Sequence, residues 1–325
     1  MMESLNTPPR DSFGHDTTTD EVLAGLDLLG QRALVTGATA GLGIETARAL
    51  AAHGAAVTLT ARDLIRGEQV AQTIRDSTGN VAVDVMQLDL ASLDSVRRFA
   101  DTYLEQHMRL DMLINNAGIM ACPHGLTEEG YEMQFGTNHI GHFLLTNLLV
   151  PALLNGAPAR VVNLSSRAHH MAGIDFDDLD FHYRDYNKWV AYGQSKTANV
   201  LFSVALDKRL RGRGVRAFAV HPGVIETELS RHMVDEDRQM LRERGKRLGG
   251  MPQKSIPAGA ATSVYAATAP ELAEMGGIYL EDCHIAAIND EENAPDGVRS
   301  WALDATTAER LWAISEDLLG QQFHL

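Results

Sequence analysis

The stretch that decides the fold is residues 32–44, which read RALVTGATAGLGI. A short apolar run leads into Gly37, Gly41 and Gly43, and a helical pattern follows from Ile44. Glycine allows a tight turn and a close backbone approach to a pyrophosphate, and the N-terminus of the next helix offers N–H groups and a positive dipole end. The same cluster also suits an ordinary strand–helix turn, so the rest of the chain has to decide between the two.

Helix and strand patterns alternate along the chain from this turn. Apolar runs rich in β-branched residues occur at 32–36, 55–60, 81–88, 110–114, 160–164 and 215–220, with a seventh at 277–280. Continuous apolar strands between helices are typical of a parallel sheet that is buried on both faces. The sequence therefore predicts an α/β fold, a doubly wound (Rossmann), mostly seven-stranded parallel sheet.

This alternation assigns residues 28–280 to a single domain, although a length of 325 residues also allows two domains. Residues 1–27 are predicted to be a mobile N-terminal extension, because they hold little apolar surface to bury. Residues 281–325 are predicted to be a C-terminal helical extension. Two stretches interrupt the alternation: an insertion at 167–189 and a predicted substrate lid at 226–257.

Composition and charge exclude several classes of protein. The 28 Lys and Arg face 43 Asp and Glu, and the formal charge of −15 disfavours binding to nucleic acid, so the locally basic run 238–247 is interpreted as a solvated helix face. No run of 18 apolar residues and no apolar leader pattern occurs, so we expect no membrane span and a cytoplasmic location. The two cysteines form no disulfide or metal pattern, and two histidine pairs lack acidic or cysteine partners, so no metal is expected.

The second predicted strand is followed by Arg62 and then Asp63. An acidic residue at this point accepts hydrogen bonds from the ribose of NAD, whereas an arginine just beyond the strand pairs with the 2′-phosphate of NADP. Because Arg62 comes first, NADP(H) is favoured as the cofactor and NAD(H) stays open. The two residues could also be a solvated charge pair that opens the next helix.

Tyr192 and Lys196 lie four residues apart near the start of a predicted helix, residues 190–211, so they share one helical face. An ammonium group a few ångströms away favours the phenolate and lowers the pKa of a tyrosine, which is ordinarily about 10. Such a tyrosine can exchange a proton near neutral pH. Taken alone, the Y-x-x-x-K pattern more often marks a surface Tyr and Lys on a helix.

Four motifs occur together, each at a predicted strand end or helix start. They are TGATAGLG at 36–43, NNAG at 115–118, the serine pair at 165–166 and YGQSK at 192–196. This combination resembles the short-chain dehydrogenase/reductase (SDR) family over roughly residues 28–280. Segments such as TARDLIRGEQVA and RVVNLSSRAHH are similar to its retinol-dehydrogenase-like, or WW-domain-oxidoreductase-like, branch. The 26 positions that separate the second serine from the tyrosine are about twice the interval usual in shorter members, and that branch has a comparable insertion.

The resemblance implies a role for each matching residue. Tyr192 would be the general acid/base on the substrate oxygen, and Ser166 would polarise the carbonyl group. Lys196 would lower the pKa of Tyr192 and hold the nicotinamide ribose, and Asn138 would position a water for a proton relay. The residues placed against the dinucleotide would be Gly37, Ala38, Thr39, Gly41, Leu42, Gly43, Arg62, Asp89, Leu90, Asn116, Gly118, Tyr192, Lys196, Pro222, Ile225 and Thr227.

The implied reaction is hydride transfer between a nicotinamide and a carbinol carbon, the chemistry of an NAD(P)-dependent alcohol dehydrogenase or carbonyl reductase. Met and aromatic residues in the insertion and the lid favour a bulky apolar substrate. It would be a secondary alcohol or ketone (steroid-like), or a long apolar alcohol or aldehyde (retinoid-like). Packing of these loops on the core is an equal alternative. Two other hypotheses are a catalytically silent, cofactor-sensing binding protein and an epimerase or dehydratase on a related fold.

The expected assembly also follows from the resemblance. In the family, the helices that match residues 141–154 and 190–211 pack into a four-helix dimer interface, and both are apolar here over much of their length. Residues 282–325 could cover the other interface, which tetramers use. We therefore expect a homodimer, or else a monomer.

Overall fold

An eight-stranded sheet lies at the centre of the computed structural model, which describes residues 12–250 and 252–325. The strands are β1 (Arg32–Val35), β2 (Ala56–Ala61), β3 (Val83–Gln87), β4 (Met112–Asn115), β5 (Ala159–Leu164), β6 (Val215–His221), β7 (Ile278–Glu281) and β8 (His284–Ile285). Their order is β3-β2-β1-β4-β5-β6-β7-β8. The first seven strands are parallel, and β8 pairs antiparallel with β7. The predicted doubly wound α/β fold is confirmed, with one short antiparallel strand added.

Helices cover both faces of this sheet. They are α1 (Thr19–Leu23), α2 (Gly41–Ala52), α3 (Leu64–Thr78), α4 (Leu93–Gln106), α5 (Met133–Phe135), α6 (Gly141–Leu148), α7 (Val150–Gly156), α8 (Lys188–Leu210), α9 (Asp235–Arg247), α10 (Ile256–Thr268) and α11 (Ala305–Leu319). A π-helical turn, Gly136–Ile140, joins α5 to α6. Helices α1, α2, α3 and α10 bury one face of the sheet, and α4, α6, α8 and α11 bury the other.

The order of the strands determines where the site lies. The sheet grows outward in opposite directions from β1 and β4, so the loops after these two strands diverge and leave a crevice at their carboxyl ends. The glycine turn follows β1, the NNAG motif begins at the end of β4, and the serine pair follows β5. Parallel pairing therefore brings motifs that are far apart in sequence to one edge of the sheet.

Residues 12–27, part of the predicted mobile extension, pack against the domain. Helix α1 lies on α2 and α10 and buries Val22. The hydroxyl of Thr19 donates a hydrogen bond to the Glu45 carboxylate at 2.5 Å. This packing was not expected from the sequence, because a helix of five residues shows almost no periodicity. Residues 1–11 of the extension lie outside the described residues.

Helix α11 packs against α6 and α8. The ring of Trp312 lies 4.8 Å from that of Phe143 and 6.0 Å from that of Phe202, measured between centroids. The guanidinium of Arg209 lies 3.9 Å from the Trp312 ring and pairs with Glu309 at 2.6 Å. Residues 305–319 of the C-terminal extension form this helix, which covers the two helices that were assigned to a dimer interface. Residues 284–303 instead pack beside β7, at the edge of the sheet. The expected cover of the interface that tetramers use stays a prediction. No helix within the described ranges is long and apolar enough to span a bilayer.

Candidate active site

A cavity of about 1280 Å³ opens at the carboxyl ends of the central strands. The predicted functional residues that line it are Gly37, Thr39, Gly41, Leu42, Gly43, Arg62, Asp89, Leu90, Asn116, Gly118, Ser166, Tyr192, Lys196, Pro222, Ile225 and Thr227. Two predicted residues do not line it. The methyl group of Ala38 packs in the apolar core, so the expected contact with the cofactor stays a prediction that only its backbone could make. Asn138 is fully buried behind the cavity wall.

The glycine turn is shaped by close backbone contacts. Gly37 has a φ of +63°, and a β-carbon there would lie 2.8 Å from the α-carbon of Ala117. A β-carbon on Gly43 would lie 2.4 Å from the carbonyl oxygen of Gly37, so no larger residue fits at either position. The side chain of Asn116 donates to the carbonyl of Thr36 at 2.7 Å, which ties the end of β4 to this turn.

The first turn of α2 is free of side-chain caps. Its N-cap residue, Ala40, has no side-chain acceptor, so no side-chain cap bond is formed. The first N–H groups of the helix can therefore bind a ligand, and the helix dipole favours an anion there. This donor set fits the pyrophosphate of a dinucleotide.

The end of β2 presents a cation rather than a carboxylate to the cavity. The Oδ1 atom of Asp63 caps α3, accepting from the N–H groups of Ile65 at 2.9 Å and Arg66 at 3.2 Å. Arg62 is exposed at the cavity edge. Arg66 lines the same edge and pairs with Glu228 at 2.8 Å. The carboxylate of Asp63 is thus engaged by the helix that follows it.

The π-helical turn before α6 places Asn138 between two segments of the site. Its Oδ1 accepts from the N–H of Ile119, and its Nδ2 donates to the carbonyl of the same residue, both at 2.9 Å. Nδ2 also lies 3.0 Å from the hydroxyl of Ser195. A β-carbon on Gly118 would lie 3.3 Å from Oδ1 of Asn138 and 3.6 Å from Nζ of Lys196, so these two atoms approach the same glycine.

Three predicted catalytic side chains meet on one wall of the cavity. Tyr192 and Lys196 lie near the start of α8, and both are buried. The Nζ atom of Lys196 lies 5.6 Å from the centroid of the Tyr192 ring and donates to the carbonyl of Leu164 at 3.0 Å. Ser166 follows β5, and its hydroxyl accepts from the N–H of Ala168 at 3.1 Å.

Burial controls the ionisation of these groups. It raises the pKa of Tyr192 to about 12, and the neighbouring hydroxyl of Ser166 acts in the opposite direction. Burial lowers the pKa of Lys196 to about 8. The net direction for Tyr192 is opposite to the expected lowering of its pKa by Lys196, because removal from water outweighs the hydrogen bond from Ser166. At neutral pH the tyrosine is therefore protonated and can donate a proton.

Two buried histidines brace these residues. Nδ1 of His142 lies 3.0 Å from the carbonyl oxygen of Asn138, and Nδ1 of His169 lies 2.7 Å from that of Ser166. A carbonyl can only accept, so both rings carry their proton on Nδ1. From the sequence, the histidine pairs were weighed only as metal ligands, because these bracing contacts leave no sequence signal. Within the described ranges, no group of three His, Cys, Asp or Glu is arranged to hold a metal.

The insertion and the predicted lid both contribute to the lining of the cavity. The apolar side chains that they contribute are Met171, Trp189, Leu229, Met233, Leu241 and Leu248. The carboxylate of Asp237, on α9, accepts from Nζ of Lys188 at 2.5 Å and from the indole N–H of Trp189 at 3.1 Å. These bonds fasten the lid helix to the first turn of α8, the helix that carries Tyr192.

The basic charge of the lid was seen in the sequence, but its position in the lining of the cavity was not expected. The basic residues of the lid that line the cavity are Arg231, Arg238, Arg242, Arg244 and Lys246. The run 238–247 was therefore not merely a solvated helix face. The spacing of residues 238, 242 and 246 at i, i+4 and i+8 is the sequence signal that places three of these cations on one side of α9.

Comparison with known proteins decides the family. Residues 31–238 match the short chain dehydrogenase family. The chain is 45% identical to retinol dehydrogenase 13 of Homo sapiens over 291 residues, which cover 90% of this chain and 85% of that protein. The chain belongs to the short-chain dehydrogenase family. It is an NAD(P)-dependent oxidoreductase that acts on CH–OH groups, and the expected likeness to retinol dehydrogenases is confirmed.

Solved structures share the fold of this short-chain dehydrogenase. A crystal structure of an uncharacterized protein from Mycobacterium paratuberculosis has a TM-score of 0.71 and 37% identity, and the match covers 95% of this chain and 100% of that one. The Pseudomonas aeruginosa RhlG/NADP active-site complex has a TM-score of 0.61 and 29% identity, over 78% of this chain and 95% of that one.

The buried histidines should make the stability of this short-chain dehydrogenase depend on pH. Burial lowers the pKa of His139 and His169 to about 3 and that of His142 to about 4. Between pH 6.5 and 4 the unfolded chain therefore binds more protons than the folded one, so stability is lost as the pH falls. Each residue should contribute about 1 kcal/mol per pH unit in this window.

Urea unfolding at pH 7, 6 and 5 measures this dependence. The change of the free energy of unfolding per pH unit should be smaller in His169→Gln, which removes one buried imidazole. It should be the same as in the wild type in His182→Gln, which removes an exposed imidazole. A free energy of unfolding that is constant from pH 7 to 5 would contradict the expectation.

Proposed function

We propose that this enzyme interconverts a bulky apolar alcohol and its ketone or aldehyde, with NADP(H) as the cofactor. The observation that carries the proposal is the convergence of the Ser166 and Tyr192 hydroxyls on one cavity wall, with Lys196 buried beside the tyrosine. Two hydroxyl donors can hold one substrate oxygen between them, and such preorganised donors stabilise the charge that develops on it.

The nicotinamide cofactor, when bound, supplies or accepts the hydride. In the reducing direction, Tyr192 donates its phenolic proton to the substrate oxygen, while Ser166 donates a hydrogen bond to the same atom. Loss of that proton leaves a tyrosinate, which the buried ammonium of Lys196 stabilises. In the oxidising direction the tyrosinate accepts the proton. Asn138 and Lys196 both approach Gly118, which supports a relay in which a water between them returns the proton.

Two regions of the cavity would hold the cofactor. The first N–H groups of α2 would bind the pyrophosphate, and Arg62 would pair with a 2′-phosphate. Use of the Asp63 carboxylate as a helix cap supports NADP(H) over NAD(H), because the competing acceptor for ribose hydroxyls is engaged elsewhere.

Apolar lining supports the substrate class. Met and Leu side chains of the lid, together with Trp189, face the same cavity as Tyr192. Relatives of this chain are named retinol dehydrogenases, which supports a long apolar alcohol or aldehyde of retinoid type. A steroid-like secondary alcohol or ketone suits the same lining. The cytoplasmic location stays a prediction.

For the assembly, we propose a monomer rather than the expected homodimer. Helix α11 buries the faces of α6 and α8 that would meet in a four-helix interface. Ser315 of α11 also lies 2.9 Å from Nε2 of the buried His139. A dimer through α6 and α8 would have to displace this cover.

Tyr192→Phe should abolish turnover while leaving cofactor binding intact, because it removes only the hydroxyl that transfers the proton. We expect kcat to fall by about 10²–10⁴-fold against a panel of retinoid, steroid and aliphatic alcohols and ketones. Tyr183→Phe, which alters an exposed tyrosine of the insertion, is the matched control. Retention of more than about a tenth of kcat would remove Tyr192 as the acid/base. A wild-type protein that binds NADP and turns over no member of the panel would favour the cofactor-sensing alternative.

Arg62→Ala should weaken NADP binding selectively. A lost charge-assisted hydrogen bond to phosphate corresponds to a dissociation constant about tenfold or more higher, and the constant for NAD should not change. Fluorescence titration of the reduced cofactors measures both. Arg98→Ala, at an exposed arginine of α4 outside the cavity, is the control. Equal weakening of NAD and NADP would show that Arg62 does not recognise the phosphate.

Light scattering should give the mass of one chain, 35.4 kDa, because α11 occupies the helical face that dimers of the family use. The measurement should be repeated over a tenfold range of protein concentration, with and without NADP. A stable mass of two chains would contradict the proposed monomer.

A further inference from the structure

Two guanidinium groups lie in the cavity beside the catalytic serine. Arg167 directly follows Ser166, Arg244 comes from the lid helix α9, and both line the cavity and are partly buried. Arg167 donates to the carbonyl of Pro295, which is a neutral acceptor. In the part of the chain that the structure describes, no carboxylate oxygen lies within 4.0 Å of either guanidinium.

The surroundings add positive charge to this pair. Burial lowers the pKa of Arg244, and the charges of Arg167 and Arg299 lower it further. Arg299 donates to the backbone carbonyls of Asn289 and Glu291, which are neutral acceptors. A partly buried cation without an anionic partner is costly, and this chain has an excess of carboxylates that could have paired with it. The pair therefore indicates an anion that comes from outside the chain.

The phosphates of the cofactor do not account for these two arginines. The pyrophosphate donors follow β1 and Arg62 follows β2, whereas Arg167 follows β5. In the order β2-β1-β4-β5, three strand spacings separate β2 from β5, a distance of about 14 Å. The arginine pair is thus at the reacting end of the cavity, near the oxygen that Ser166 and Tyr192 would hold.

We propose that Arg167 and Arg244 form a subsite for an oxyanion, a carboxylate or a sulfate, carried by the apolar substrate. The subsite rests on the proposed function, because it selects among apolar alcohols and ketones those that bear an ionised group. Guanidinium groups suit this task, since their planar fork binds the oxygens of such a group in pairs. The lid supplies one of the two arginines, so an anionic substrate also draws α9 toward the wall that carries the serine.

Calorimetric titration with three octyl probes tests the subsite without turnover. Octanoate and octyl sulfate carry the two kinds of oxyanion on the same chain as the neutral octan-1-ol. Both anions should bind the wild-type protein at least about tenfold more tightly than the alcohol. Arg244→Gln and Arg167→Gln should each weaken anion binding about tenfold to a hundredfold and leave octan-1-ol and NADP unchanged. Arg247→Gln is the matched control, since it removes an exposed cation of α9 that does not line the cavity.

Several outcomes would overturn the subsite. Equal affinity for octanoate and octan-1-ol would do so. An equal loss of anion affinity in Arg247→Gln would also do so, because the effect would then come from the net charge of the protein rather than from the two arginines. Weaker NADP binding in both Arg244→Gln and Arg167→Gln would assign the pair to the cofactor instead. Because the titration needs no chemistry, a failed subsite leaves the proposed oxidoreductase intact. Conversely, an enzyme that turns over no alcohol or ketone would still show the Arg-dependent anion binding.

Discussion

The cavity wall that carries Ser166, Tyr192 and Lys196 depends on the buried amide of Asn138. Its two polar atoms bind both backbone groups of Ile119 and the hydroxyl of Ser195, so the loop after β4 is fixed to α8. A buried N–H or carbonyl that loses its partner is costly, and this one side chain satisfies both groups of Ile119. The π-helical turn that carries Asn138 is itself held through His142, which reaches back to Thr36 at the end of β1. The ends of β1 and β4 and the start of α8 are thereby held in one arrangement.

The strands and most of the site residues could be predicted from the sequence, because motifs after parallel strands necessarily meet at one edge of the sheet. The contacts by which later segments of the chain pack over these helices could not be predicted in this way. The apolar faces of α6 and α8 indicate that another segment packs on them. Periodicity does not distinguish whether that segment is a second chain or α11. The pKa of Tyr192 shows the same limit. Spacing predicts that Lys196 is near, whereas burial is set by segments distant in sequence, and burial determines the direction.

The sign of the charge at the cavity is opposite to that of the chain as a whole. The chain as a whole carries −15, yet among the charged side chains that line the cavity the basic ones, from the lid and from the ends of the strands, outnumber the acidic ones. A local positive field in a crevice attracts anionic ligands, while the acidic remainder of the surface repels them. The lid thus contributes charge as well as apolar side chains to the cavity, and the ion pair of Asp237 with Lys188 joins the lid helix to the start of α8.

The position of α11 also matters while the chain is being made. Residues 305–319 leave the ribosome about 95 residues after the end of α8, which at ordinary rates of synthesis corresponds to a delay of about 5 to 20 s. Throughout that interval the rings of Phe143 and Phe202 have no Trp312 to cover them. Strands β1 to β6 can therefore pair well before α11 covers the helix that bears Tyr192. During this time the uncovered aromatic side chains present an apolar surface to chaperones and to neighbouring nascent chains.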